Sequence, residues 1–181
     1  MAFARPRKLF TEGELHEYAV GALARRGRSV AELKRLLRNR VEADTEFGKT
    51  LVELIIVRLK DQGYLNDARY AAAYSSYRRD TEKFGRMRVV SDLKAKGVHG
   101  EVIEKAVTSA YEEVKEEDLA RAYLKRKRLK KPKDRKEAAR VFRNLTRAGF
   151  GSKTIFTILK KWDVDDETLS EFEEVAADGP S

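Results

Sequence analysis

The feature that most restricts this chain is a frame that occurs three times, L-x3-G-x5-[LI]-x3-[LV]. It runs from Leu23 to Gly27 with Leu33 and Leu37, from Leu93 to Gly97 with Ile103 and Val107, and from Leu145 to Gly149 with Ile155 and Leu159. In physical terms a helix ends on Leu, a glycine turns the chain, and a second helix presents apolar residues four apart. The pattern predicts a preceding helix near 12–25, 66–79 and 116–129 in the three units, and a long helix near 46–62 joining the first unit to the second. A unit of about 50 residues buries too little surface to be robust alone, and stacking supplies the missing burial. The expected fold is therefore all-α: three tandem three-helix repeats in an elongated, curved helical array. The repeats are read as 11–63, 64–112 and 113–162, between a basic N-terminal tail at 1–10 and an acidic C-terminal tail at 163–181.

Local signals agree with helices. Leu15, Tyr18, Ala19, Ala22 and Leu23 form one apolar stripe, Leu51, Leu54, Ile55 and Leu59 another, and Val102, Ile103, Ala106, Val107 and Ala110 a third. Thr11 with Glu14, Ser29 with Glu32, and Asp134 with Glu137 read as capping boxes, and Asn66 as a cap. Gly27, Gly63, Gly97 and Gly149 read as left-handed helix stops.

Composition narrows the chemistry. There is no cysteine, which excludes disulfides, zinc–thiolate sites and thiol catalysis and suits a reducing cytoplasm. No signal-peptide pattern or membrane span is read, so a cytoplasmic location without a membrane partner is expected. Net charge is +9, yet residues 163–181 hold eight acids and no base, so the remaining 162 residues are more basic still. A basic body points to a polyanionic partner. A solvated charged surface is the bland alternative.

The densest basic stretch is Arg121 to Lys136, where ten of sixteen residues are Lys or Arg and Pro132 must interrupt any helix. That density exceeds what a helix C-terminus needs for its dipole and reads as phosphate contact. A second group joins Arg78, Arg79, Lys83, Arg86, Arg88, Lys94 and Lys96 to Tyr70, Tyr74, Tyr77 and Phe84, most of whose rings are expected in the core. A third spans Arg25, Arg26, Arg28, Lys34, Arg35, Arg38 and Arg40 and suits acidic side chains as well as phosphate.

Enzymatic readings find little support. His16 and His99 are the only histidines, and neither sits in a ligand or triad motif. The run from Gly149 to Thr154 mimics a phosphate-binding loop but fails on spacing and has no strand before it. No catalytic residue, metal or cofactor is expected.

The run Leu59-Lys-Asp-Gln-Gly63-Tyr64-Leu65-Asn66-Asp67-Ala68-Arg69-Tyr70-Ala71, with Gly85-Arg86-Met87-Arg88 and Leu93 to Val98, closely resembles the central signature of the bacterial RecX regulatory proteins. Tyr18 to Arg26 with Ser29 to Leu33, and Phe142 to Phe150 with Ile155, resemble the outer units of that family. The resemblance implies tandem three-helix repeats and a non-enzymatic regulator. Such a protein would bind the RecA recombinase filament on single-stranded DNA and damp its ATPase and strand exchange, with direct DNA contact open. Arg25, Arg26, Arg86, Arg88, Lys125, Arg126 and Arg128 are the expected contacts, chosen on charge and position. Gly63, Tyr64, Leu65, Asp67 and Arg69 are expected to serve structure. The chain is expected to be a monomer. A nucleic-acid-binding module acting without a recombinase and a protein-only adaptor are the alternatives.

Overall fold

The computed structural model describes residues 11–42 and 44–177, with side chains as far as 172. The basic N-terminal tail expected at 1–10 lies outside the described residues. Among the described residues there are ten α-helices and no strand. They are α1 (Glu12–Arg25), α2 (Val30–Arg38), α3 (Glu46–Asp61), α4 (Asp67–Asp80), α5 (Arg86–Ala95), α6 (Gly100–Tyr111), α7 (Glu116–Arg126), α8 (Arg135–Arg147), α9 (Ser152–Lys160) and α10 (Asp166–Ala177). The class is all-α, as the periodicity dictates.

The chain divides into two compact units, and the middle helices are shared between them. The first unit holds α1 to α3, the start of α4 as far as Ala71, and Leu93–Ile103. Its core is Leu15, Ala19 and Ala22 of α1, Leu33 and Leu37 of α2, and Leu51, Val52, Ile55, Ile56 and Leu59 of α3. Leu54 departs from the expected stripe and is 46% exposed. At 100° per residue the α3 face buried by α1 and α2 is centred on Val52, Ile55, Ile56 and Leu59, and Leu54 falls outside it.

The second unit holds Ala72–Asp92 and the chain from Glu104 onward. Leu119, Tyr123 and Leu124 of α7, Val141, Phe142 and Leu145 of α8, and Ile155, Ile158 and Leu159 of α9 surround Phe150. The segment read as an acidic tail contributes a tenth helix to this core. Leu169 and Phe172, three apart on α10, are buried, and the rings of Phe142 and Phe172 lie 5.2 Å apart. Its acidic composition hid a short apolar face that α8 and α9 cover.

The caps refine the expected starts. Ser29 and Glu32 form a complete capping box. Thr11 accepts the Glu14 N–H, and Asn66 accepts the Arg69 N–H. Asp134 accepts the Glu137 N–H, but the Glu137 carboxylate accepts from Lys133 N, one residue earlier than a capping box requires. Gly63, Gly97 and Gly149 have φ of 73°, 73° and 86°, the left-handed stops expected. Gly27 is not among the positive-φ glycines, and α1 closes through an extended Arg26. Gly27 lies between the first and second helices of its group, whereas Gly97 and Gly149 lie between second and third. The first match of the frame therefore joins positions that are not structurally equivalent.

Each unit contains a joint of one kind. In the first unit the α1–α2 turn lies on the α5–α6 turn. The buried Ser29 donates through Oγ to Lys96 O at 2.6 Å, and a Cβ on Gly97 would collide with the Ala31 side chain. In the second unit the α4–α5 turn lies on the α8–α9 turn. Gly85 N donates to Ala148 O at 2.8 Å, Met87 N donates to Gly149 O at 3.2 Å, and Tyr111 OH donates to Phe84 O at 2.8 Å.

Glu32 is the polar centre of the first joint. It accepts from Lys96 Nζ at 3.0 Å, Tyr70 OH at 3.2 Å and Ser29 N at 3.2 Å. Burial pushes its carboxyl up, but the hydrogen bonds from Lys96 and Ser29, the Lys96 charge and the Tyr70 hydroxyl outweigh that and hold it below its ordinary value. A lowered carboxylate stabilises the fold above its unfolded pKa, and that contribution is lost as pH falls through the folded value. Stability of the first unit should therefore decline below about pH 4.5. Glu32→Gln should flatten this acid limb and cost about 1–2 kcal/mol at neutral pH. Urea unfolding across pH, followed by circular dichroism, measures both.

Candidate interaction surface

The run 63–69 serves structure at most of its positions. Leu65 is buried, Arg69 Nη2 donates to Gly63 O at 2.7 Å, and Asp67 Oδ1 accepts from Val30 N at 2.8 Å. Tyr64 is the exception, at 56% exposed. Tyr70 and Tyr74 are half-buried and hydrogen-bonded to Glu32 and Asp92, whereas Tyr77 faces solvent. Burial, with Glu32 beside it, pushes the Tyr70 hydroxyl up to about 12.

Of the seven cations expected to make contact, two lie in the first unit. Arg25 ends α1 in solvent, and Arg26 approaches Glu32 at 3.9 Å with its side chain 63% exposed. The other five lie in the second unit. Arg86 opens α5 and donates to Thr108 Oγ1 at 2.9 Å. Arg88 pairs with Asp92 at 2.9 Å, where Tyr74 and Arg78 also converge. The Arg78 and Arg88 guanidiniums lie 4.5 and 5.7 Å from the Phe84 ring centre. Arg126 pairs with Glu82 at 3.0 Å, tying the end of α7 to the α4–α5 turn.

Phe84 in turn stands 6.0 Å from the Tyr123 ring. Burial raises the Tyr123 hydroxyl pKa, and the charges of Arg126 and Arg88 partly offset that. Arg88 and Arg126 therefore share one neighbourhood around Phe84 and Tyr123. Lys125 and Arg128 are exposed, and their side chains have no ion pair among the described residues. Arg128 is left-handed at φ 54°, which ends the helical course of α7.

Four of the ten cations of the basic stretch, Arg121, Arg126, Lys131 and Arg135, are matched by acids of the second unit. Arg121 and Lys161 share Glu117, whose carboxyl they hold below its ordinary value. Lys131 pairs with Asp163 and Arg135 with Glu171, while Lys160 pairs with Asp166 at 2.7 Å. The acidic segment thus neutralises part of the basic face.

Sequence reasoning missed three cations beyond the dense run, Arg140, Arg143 and Arg147, which extend a row that Lys136 begins. Lys136, Arg140, Arg143 and Arg147 stand at i, i+4, i+7 and i+11 on α8, opposite its buried Ala138, Val141, Phe142 and Leu145. All four are exposed, and their side chains pair with no acid among the described residues. The signal was available: α8 alternates apolar and basic residues at helical spacing beyond the end of the dense run.

Among the described residues no cluster of His, Cys, Asp and Glu is arranged to hold a metal. His16 shares a hydrogen bond with Gln62 at 3.0 Å. Among the described residues no helix is long and apolar enough to cross a membrane.

Fold and surface together define an all-helical protein with basic faces carried on short, turn-jointed helices. The chain belongs to the RecX family of regulatory proteins. Residues 66–107 match the family model described as RecX, second three-helix domain, which here covers α4, α5 and most of α6. The Regulatory protein RecX of Myxococcus xanthus is 35% identical over 169 residues, covering 87% of this chain and 87% of that protein. That of Deinococcus radiodurans is 32% identical over 162 residues, covering 87% and 74%. The crystal structure of RecX from Lactobacillus salivarius has the same fold, with a TM-score of 0.65 at 22% identity over 84% of this chain and 96% of that one.

Proposed function

We propose that this chain binds the RecA recombinase filament on single-stranded DNA and lowers its ATPase and strand-exchange activity without catalysing a reaction itself. The observation that carries this reading is the similarity to proteins named RecX regulatory protein along 87% of the chain. The basic faces support it, because a recombinase–DNA filament is a large polyanion. Exposed cations on several short helices support binding across neighbouring protomers, since they offer more than one surface to a repeating partner. Of the seven expected contacts, Arg25, Lys125 and Arg128 fit the role best, since their side chains are free of ion pairs among the described residues.

The test is recombinase ATPase on single-stranded DNA, titrated with this protein. Hydrolysis should fall as the protein saturates the filament, and the Lys125→Glu, Arg128→Glu double variant should require several-fold more protein for the same effect. Unchanged hydrolysis at saturating protein rejects the reading.

A further inference from the structure

We propose that the outward face of α8, carrying Lys136, Arg140, Arg143 and Arg147, is a track for the phosphate backbone of single-stranded nucleic acid. The assignment goes beyond the filament reading and stands or falls on bare DNA.

The first ground is the contrast with those cations of the second unit that are tied to acids. Arg78 and Arg88 share Asp92, Arg121 and Lys161 share Glu117, and Arg126, Lys131, Arg135 and Lys160 each meet an acid of their own. The four cations of α8 meet none among the described residues. Residues 138–162 contain no carboxylate, and Glu137, three residues before Arg140, accepts from Lys133 N instead.

The second ground is that the arrangement works against the helix that bears it. Like charges three or four residues apart on a helix repel, and the stripe contains three such pairs: 136 with 140, 140 with 143, and 143 with 147. Lys136 also lies in the first turn of α8, where the dipole disfavours a cation. Nothing in the packing requires these charges, since the opposite face of α8 supplies all its core contacts.

The third ground is geometry. The stripe runs eleven residue steps, from Lys136 to Arg147, about 16 Å of helix, in a straight row of exposed side chains. Three of the four are arginines, whose planar guanidinium engages phosphate oxygens through two parallel hydrogen bonds. An unpaired row of this kind reads a repeating anionic backbone and carries no base specificity. A partner protein with a matching acidic helix would need its carboxylates at the same spacing. A flexible single strand adapts its phosphates to the row.

The experiment measures binding of a fluorescein-labelled oligothymidylate by anisotropy across a salt series, using the full chain without recombinase. Arg140→Gln, Arg143→Gln, Arg147→Gln is compared with Lys60→Gln, Lys105→Gln, Lys115→Gln, which removes equal charge from positions outside the stripe. The α8 variant should bind at least tenfold more weakly at low salt. Its slope of log K against log salt should be shallower by about 2, as three lost phosphate contacts on a single strand require. The second variant should stay within about threefold of the parent. The α8 variant should keep its helical content and melt no lower than the parent, because repulsion has been removed.

Equal affinities and slopes for the two variants overturn the proposal, as does a parent chain that does not bind the oligonucleotide. Loss of filament binding by the α8 variant with oligonucleotide binding unchanged assigns the stripe to an acidic protein surface instead. Loss of oligonucleotide binding with recombinase inhibition absent throughout retains the track and rejects only the filament reading.

Discussion

Gly149→Ala should destabilise the second unit by about 3 kcal/mol and lower its melting midpoint by roughly 6–12 °C. Three effects add. The residue sits at φ 86°, where a side chain is strained by about 1–2 kcal/mol. A Cβ there would overlap the backbone of Arg88, so the α4–α5 turn must move away. That movement breaks the bond from Met87 N to Gly149 O and strains the one from Gly85 N to Ala148 O, each worth about 1 kcal/mol. Gly63→Ala is the control. Its φ is 73°, but a Cβ there would meet open space, so only the backbone strain of about 1 kcal/mol should be felt. Thermal unfolding of the two variants by circular dichroism separates the joint from the turn.

Phe172→Ala should cost about 3 kcal/mol in the part of the second unit that α10 covers. The ring is buried against Phe142, and Leu169 one turn earlier fills the same groove. The loss should show as weakened hydrogen-exchange protection in α10 and the facing turn of α8, with a smaller change in the global urea midpoint. Glu171→Gln, which removes only the partner of Arg135, should shift stability by less than about 1 kcal/mol, because that pair is largely solvent-exposed. Truncation before residue 163 would therefore strip apolar burial as well as charge. The shielding of basic residues by the acidic segment is better tested at Asp163, Asp166 and Glu171 one by one.

Most of the helical course is legible in the sequence because apolar residues mark one face of each helix and Ser29, Asn66 and Asp134 mark starts. What escaped has physical causes. The acids around Leu169 and Phe172 dominate composition, yet two apolar residues three apart suffice to dock a helix onto a groove that others have formed. Gly27 and Gly97 look alike in sequence, but only the packed structure determines which glycine is left-handed. The pairing of Arg126 with Glu82 joins residues 44 apart in the chain, beyond what local spacing reveals. Leu54 is apolar at helical spacing and still faces solvent, because the angle at which α1 and α2 approach α3 decides which stripe is covered. Of the surface, charge density alone was readable. Which cations are already matched by acids, and which remain available, required the fold.

The joint of the second unit is made chiefly of main chain. Its bonds run from the amides of Gly85 and Met87 to the carbonyls of Ala148 and Gly149, and only glycine fits at two of those positions. The side chain of Tyr111 adds one bond, from its hydroxyl to Phe84 O. Such a coupling holds its geometry while the residues around it drift, so a lineage can rewrite the outward faces of its helices without unseating them. Relatives that have lost most of their common sequence can then keep a common scaffold, and selection on what the surface touches acts almost independently of selection on how the helices meet.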